Sequence, residues 1–405
     1  MSALVSHINY SIKEIIQKKN SGTHTPQMDF LYEAIECYKT DTEKRIEDIM
    51  DILQKANPEN SMRWVYEHVE DNIRPYVIMN IRGQKYNVLM KQSGKWKTIS
   101  DIGVQVEELP RKEMSYKDWK CIWTDSIEKM NNYNLPFFET HAHYNLDVYD
   151  RVRSLLLQDL FRAGVKKCII PAIEYNSNYK IKECFDSEEY NFIKYAFGSH
   201  PKYIGKEDWT EKRWSEFSSL LDDPKCIALG EVGLDYSYVT FHEEERKKQM
   251  KLFDMFIDKA NENKLPMILH IRPADDISCA FDVNEDAFCI LKKNKIKYGA
   301  VLHCFGGCLS DMQRYFDSGV TYFGIGGRII SHGSEQLNNA ILHMPETSIL
   351  LETDAPYMKF KKGKVPNTSF ALIDIAEKIA QIRGTSVEHI IELSYENASR
   401  FFSVE

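Results

Sequence analysis

The chain has 405 residues, more than one average domain and enough for a barrel-sized domain with a smaller companion. Its 43% hydrophobic and 28% charged residues are those of an ordinary globular protein, and no apolar stretch is long enough to span a bilayer. The formal net charge of -8 argues against wholesale wrapping of nucleic acid, which is driven by neutralising phosphates with Lys and Arg.

The segment Met1 to Lys19 lacks the short apolar core of a secretory signal, so a cytoplasmic location is expected. Nine cysteines, an odd number scattered through a large chain, predict reduced thiols rather than a disulfide framework. Cys304 and Cys308 flank no second pair at a finger-like spacing and are expected to be packing residues.

Residues 1–135 are expected to form a small α+β domain of accessory role. Thr42 to Ala56 reads as a helix, with Thr42 as N-cap and Ile46, Ile49, Met50 and Leu53 on one face. Tyr76 to Ile81, Tyr86 to Met90 and Trp96 to Ile99 read as strands joined at Gly83 and Ser93-Gly94. Pro110 to Tyr116 leads out toward a helical connection at Trp119 to Asn131.

Residues 136–405 repeat one unit: a short apolar run, a turn, then an amphipathic stretch. The runs are Phe137 to His141, Val165 to Ala172, Tyr195 to His200, Cys226 to Gly233, Leu265 to His270, Tyr298 to His303, Val320 to Gly326 and Ser348 to Asp354. Between them lie helical patterns such as Glu243 to Asn261, where Met250, Phe253, Ile257 and Ala260 recur at spacings of three and four. Alternating strands and helices imply a parallel sheet, and eight units is the count that closes a (β/α)8 TIM-type barrel. Phe370 to Phe402 reads as closing helices, broken at Gly384.

Polar residues fall where such a barrel builds its site. His141, His143, His200, Glu231, His270, His303 and Asp354 lie at or just past the C-terminal ends of their runs, which gather on one face. Residues two apart on a strand share a face, so both imidazoles of His141-Ala142-His143 can reach one ion. Nitrogen and oxygen donors drawn from several elements are what a divalent metal in a hydrolase needs.

In this order, Thr140-His141-Ala142-His143, Gly230-Glu231-Val232-Gly233-Leu234-Asp235, Leu265 to His270, His303-Cys304-Phe305-Gly306-Gly307 and Glu352-Thr353-Asp354-Ala355-Pro356 resemble the TatD family of metal-dependent hydrolases. The resemblance covers about residues 137 to 402 and leaves the N-terminal third outside. It implies a barrel of the amidohydrolase-like kind with two divalent ions. One ion would take His141, His143, Asp354 and Glu231; the other would take His270, His303 and the second oxygen of Glu231. Such donors suit magnesium, manganese or zinc alike. Asp354 is the expected general base, because a carboxylate beside the ion can orient a water and accept its proton. Glu139 stands where the family usually has Asp, and Tyr144-Asn145 where it usually has an aliphatic residue and then often Asp, which predicts tuning of the site rather than its loss.

His200 matches a Gly-x-His-Pro of the family near its substrate pocket, with a strand-end histidine satisfied by the backbone as the alternative. Glu352 is expected to brace the strand end or a ligand rather than bind metal. Arg272 and Arg328 each follow a strand, and Lys359, Lys361, Lys362 and Lys364 crowd the segment after Asp354; phosphate contact is the expectation for them, with an internal ion pair to Asp275 or Asp276 as the alternative for Arg272 and a solvated loop as the alternative for the lysines. The family's best-known activity implies a deoxyribonuclease, an exonuclease on single strands or frayed ends, with DNA as substrate and no membrane partner. Alternatives are hydrolysis of an ester or amide, such as deacylation of aminoacyl-tRNA, and a barrel that serves as a recruitment module. The N-terminal domain is expected to contact a partner protein or to guide substrate toward the barrel mouth.

Overall fold

The computed structural model describes residues 61–69, 72–81, 84–92, 95–98, 116–204, 207–237, 243–274, 281–361 and 366–404. The chain divides into two compact units, Met1–Met114 and Ser115–Glu405.

In the first unit the described residues form an antiparallel meander of β1 (Ser61–Val69), β2 (Asn72–Ile81), β3 (Gln84–Gln92) and β4 (Lys95–Thr98), paired in that order. The three strands expected from the sequence correspond to β2, β3 and β4. Strand β1 was not anticipated: its register runs from Ser61 opposite Asn80 to Val69 opposite Asn72, and the two residues between, Glu70 and Asp71, carry no glycine to mark a hairpin. The helix expected over Thr42 to Ala56 lies outside the described residues.

The second unit opens with helices Tyr116–Ile122 and Thr124–Tyr133, so the helical connection goes with the barrel. Ser126 Oγ donates to Asp374 Oδ2 at 2.7 Å, tying the second of these helices to the C-terminal helical layer. Eight strands follow: β5 (Phe137–Glu139), β6 (Val165–Pro171), β7 (Ile193–Phe197), β8 (Cys226–Asp235), β9 (Met267–Arg272), β10 (Ala300–Leu302), β11 (Val320–Ile325) and β12 (Ile349–Leu351). They pair in chain order and in parallel, which is the doubly covered sheet that alternating strands and helices demand.

The ends of this sheet meet. Thr140 N donates to Leu351 O at 3.3 Å, Asp354 N to His141 O at 2.9 Å and His143 N to Ala355 O at 2.7 Å, so β5 and β12 are joined through the segments that follow them. Inside lies an apolar layer to which every strand contributes: Phe138, Ile169, Ala196, Ala228, Ile268, Val301 and Leu350, with the partly buried Tyr322. Ala398 and Phe402 of the C-terminal segment join it. Truncating a large member of such a layer costs about 2–5 kcal/mol. Two to four residues beyond it in sequence come His141, His200, Glu231, His270, His303 and Asp354, so the strand direction that packs the core also delivers the polar groups to its far side.

Helix Glu243–Asn263 matches the periodicity read from sequence. The closing helices are Leu372–Arg383 and Val387–Phe401, separated at Gly384, whose φ of 65° lies in the left-handed region where glycine is favoured as a helix stop. Among the described residues the cysteines are free thiols, and no helix is long and apolar enough to cross a membrane.

Candidate metal centre

Four donors, from β8 and from the segments that follow β5 and β12, converge on one point. His141 Nε2 lies 3.2 Å from His143 Nε2, 3.4 Å from Glu231 Oε2 and 3.8 Å from Asp354 Oδ1. His143 Nε2 lies 3.8 Å from Glu231 Oε2 and 3.3 Å from Asp354 Oδ1. Donors about 2.0–2.1 Å from a shared ion in tetrahedral array stand about 3.3–3.4 Å from one another, so this corner fits a divalent ion. The tautomer agrees: His143 Nδ1 lies 3.2 Å from Pro171 O and carries the proton toward it, which leaves the Nε2 lone pair facing inward.

Backbone geometry sets the corner. Asp354 has a φ of 53°, a conformation Asp tolerates better than most residues, and its N–H is anchored on His141 O. Below it, the wholly buried Glu139 clasps the seam. Its Oε1 accepts from His141 N at 3.1 Å and Thr353 N at 3.0 Å, while Oε2 accepts from Thr353 Oγ1 at 2.6 Å and Ser369 Oγ at 2.7 Å. Tyr144 OH sits 2.7 Å from Ser369 Oγ and accepts from Ser369 N, so two of the three positions that depart from the family pattern, Glu139 and Tyr144, belong to one network. Burial pushes the Glu139 carboxyl up to about 7, against the pull of these hydrogen bonds.

Glu231 occupies the middle because glycines clear its path. A Cβ on Gly198 would come within 2.6 Å of the Gly230 carbonyl carbon, and one on Gly230 within 2.7 Å of Ile268 Cβ. Its second oxygen, Oε1, faces a different set: His270 Nδ1 at 2.7 Å, His303 Nε2 at 3.7 Å and His200 Nε2 at 3.7 Å. This side is looser, with the His270 and His303 ring centroids 6.1 Å apart. Each of those two histidines is braced from behind. His270 Nε2 lies 3.2 Å from Asp235 Oδ2, and His303 Nδ1 lies 2.9 Å from Glu352 Oε1. A carboxylate on the far ring nitrogen fixes the tautomer and raises the basicity of a metal-ligating imidazole.

The braces are themselves held. Asp235 Oδ1 accepts from Ser237 N at 2.9 Å and Ser237 Oγ at 2.5 Å, and Glu352 Oε1 accepts from Cys304 N at 2.7 Å. Glu352 was read from sequence as a brace; Asp235 was not singled out. The signal was present, since Asp235 lies four residues beyond Glu231 on β8 and shares its face.

The electrostatics are those of a cation site. Burial alone would raise Glu231, but His141 and His200 nearby and the hydrogen bonds from His141 and His270 outweigh it and hold the carboxylate well below its ordinary range. Asp354 is lowered in the same way, burial being overcome by His143, His303 and His141. Burial opposes protonation of His270 and His303, yet Asp235 and Glu231 push the first up to about 9, and Glu352 with Glu231 and Asp354 push the second up to about 10. His200 goes the other way: burial, then His270, bring it down to about 3.

The expected substrate contacts divide. Arg328 is exposed at the start of helix Arg328–Ser331, and its guanidinium lies against the turn after His303, with Nε 2.5 Å from where a Cβ on Gly306 would stand. Arg272 is exposed at the end of β9, two residues past His270, and Lys359 is partly buried beyond Asp354. Lys361 is not brought to the metal centre. Its ammonium hydrogen-bonds Ser126, pairs with Asp374 at 3.2 Å and lies 5.0 Å from the Trp123 ring centroid, so it joins the barrel to the helices before it. Lys362 and Lys364 lie outside the described residues. Tyr357, which sequence reasoning passed over, is 46% exposed with its ring edge-on to His143, 5.9 Å between centroids.

Comparison with known proteins bears on this geometry. The profile of the family described as TatD related DNase matches residues 138–403. The metal-dependent hydrolase YabD of Bacillus subtilis is 28% identical over 270 residues, which is 66% of this chain and 99% of that protein. A human protein named deoxyribonuclease TATDN3 is 29% identical over 272 residues, 65% of this chain and 93% of its own. Among solved structures, the TatD homologue YJJV of Escherichia coli superposes with a TM-score of 0.58 at 26% identity, covering 66% of this chain and 98% of that one.

Proposed function

As the chain belongs to the TatD related DNase family, and is thereby a metal-dependent hydrolase acting on ester bonds, we propose that its ester is the phosphodiester of DNA, cleaved from strand ends. The observation that carries this reading is the central carboxylate. Glu231 Oε2 faces His141 and His143 while Oε1 faces His270 and His303, as a bridge between two ions requires. The first ion would rest on His141, His143, Asp354 and Glu231, and the second on Glu231, His270 and His303.

Bound there, magnesium, manganese or zinc would supply a polarised phosphoryl oxygen and a water of lowered pKa. The chain's own groups do the rest. Asp354 stays ionised because the surrounding imidazoles lower it, so it can accept the proton of the attacking water. Arg328 and Arg272 offer planar guanidinium donors to phosphate oxygens at the rim. Tyr357 offers an exposed ring at the mouth on which an unpaired base can stack. We assign to the N-terminal unit the contact with a partner protein or the guidance of substrate to the mouth.

The test is a panel offered to the metal-loaded protein: end-labelled single-stranded DNA, an aryl phosphodiester, an aryl carboxylic ester and mischarged transfer RNA. The reading predicts turnover of the two phosphodiesters with at least one of the three metals. Turnover confined to the carboxylic esters would replace it with the esterase or deacylase alternative, and turnover of none would replace it with the recruitment module.

A further inference from the structure

His200, Asp235 and His270 form a compact cluster, their ligand-type atoms within 4.8 Å of one another, and composition alone would read it as a site for another ion. The hydrogen bonding points elsewhere. We propose that His200 is a neutral hydrogen-bond donor to a phosphate oxygen of the substrate and ligates no metal; this deepens the phosphodiesterase reading and rests on it.

His200 ends the segment after β7 and caps the short turn Pro201–Tyr203. Its backbone is fixed by His200 N donating to Ile173 O at 3.1 Å. Its ring is fixed by Lys202 N, which donates to His200 Nδ1 at 3.0 Å. A ring nitrogen that accepts an amide hydrogen carries no hydrogen of its own. In the neutral imidazole the proton then sits on Nε2, so the only lone pair is already used and Nε2 presents N–H. An ion bound at Nε2 would need a lone pair there.

That N–H points into the centre. Nε2 lies 3.7 Å from Glu231 Oε1 and 3.9 Å from Asp235 Oδ2, both beyond hydrogen-bond length. The neighbouring carboxylate is already engaged elsewhere, Asp235 Oδ1 with Ser237 and Oδ2 with His270. The imidazole is 12% exposed and its ring centroid is 4.1 Å from that of His270, so it borders the proposed second ion position. A donor held in place before substrate arrives needs no reorganisation to meet an oxygen on which charge develops.

Two substitutions separate the roles of the two nitrogens. His200→Asn places an amide where Nδ1 stands, keeps the cap on Lys202 N and deletes the donor. His200→Gln extends an amide N–H to where Nε2 stands. Neither amide replaces an imidazole as a metal ligand. The full-length protein is loaded with zinc, its ion content measured, and its affinity for inorganic phosphate determined by calorimetry, with kcat on the aryl phosphodiester as a second readout.

The expected result is unchanged ion content in both variants, phosphate binding about tenfold weaker in His200→Asn than in His200→Gln, and a kcat loss in His200→Asn on the order of 10²–10³-fold, the cost of one such donor. Loss of an ion equivalent in both variants overturns the proposal, as does equal phosphate affinity in His200→Asn and wild type, or a nitrogen-15 spectrum placing the ring proton on Nδ1. Because ion content, phosphate affinity and ring tautomer are read without turnover, they decide the role of His200 even if DNA is not the substrate.

Discussion

The two sides of Glu231 are built differently. On the Oε2 side, His141, His143 and Asp354 come from the segments that follow the two strands closing the barrel, and backbone hydrogen bonds across that seam hold their donor atoms at 3.2–3.8 Å from one another, with the two histidines 3.4 and 3.8 Å from Glu231. On the Oε1 side, His270 and His303 come from neighbouring strands β9 and β10, stand further apart, and take their aim from the side chains Asp235 and Glu352. One corner is fixed by the fold, the other by carboxylates behind the ligands. The first should therefore resist perturbation of single side chains that the second feels at once.

The largest break is at the shared residue. Glu231→Gln removes the charge that both sides use, and kcat on a phosphodiester is expected to fall by at least about 10³-fold with loss of both ions in a metal count. Asp354→Asn comes next. It spares the Oε1 side, and the loss expected for a general base is about 10²–10⁴-fold in kcat, with the ion on that side retained. A metal count in which both ions disappear together would erase the distinction between the sides.

Smaller effects sharpen it. Asp235→Asn and Glu352→Gln should each weaken one ion by about 10–100-fold while the other titrates as in wild type, which a competition titration with a chelator can resolve. The same side should respond to pH. Without ions, His270 and His303 have pKa values raised to about 9 and about 10, so what their protonation contributes to stability is fully present below about 6.5 and lost as pH rises through those values. An ion needs them deprotonated, so its affinity rises over the same window. The melting-temperature gap between loaded and chelator-stripped protein should accordingly widen from pH 7 to pH 9; a constant gap would count against both histidines as ligands. The least effect on ions belongs to the seam. Ser369→Ala strips one donor from the buried Glu139 and should cost about 1–3 kcal/mol in denaturant unfolding, with metal affinity moved less than by Asp235→Asn.

The same contrast marks what could be read in the sequence. The six proposed ligands were legible because each sits where an apolar run stops, and strand direction alone carries them to one face. Their second contacts were less so. Asp235 shares the face of Glu231, but nothing local says that His270 will lie opposite it. Lys361 looked like a phosphate contact because lysines crowd its segment; its partner Asp374 and the Trp123 ring come from elements that meet it only in the folded barrel. Strand β1 lacked the glycine that marked its neighbours' turns. Sequence periodicity reports which face a residue takes, whereas charge partners and seams depend on elements far apart in the chain.

Anomalous diffraction from crystals loaded with zinc and soaked with a deoxynucleoside monophosphate should show two ion peaks flanking Glu231, one on His141, His143 and Asp354 and one on His270 and His303, with the phosphate against His200 Nε2. A single peak, or a peak on His200, would contradict this arrangement.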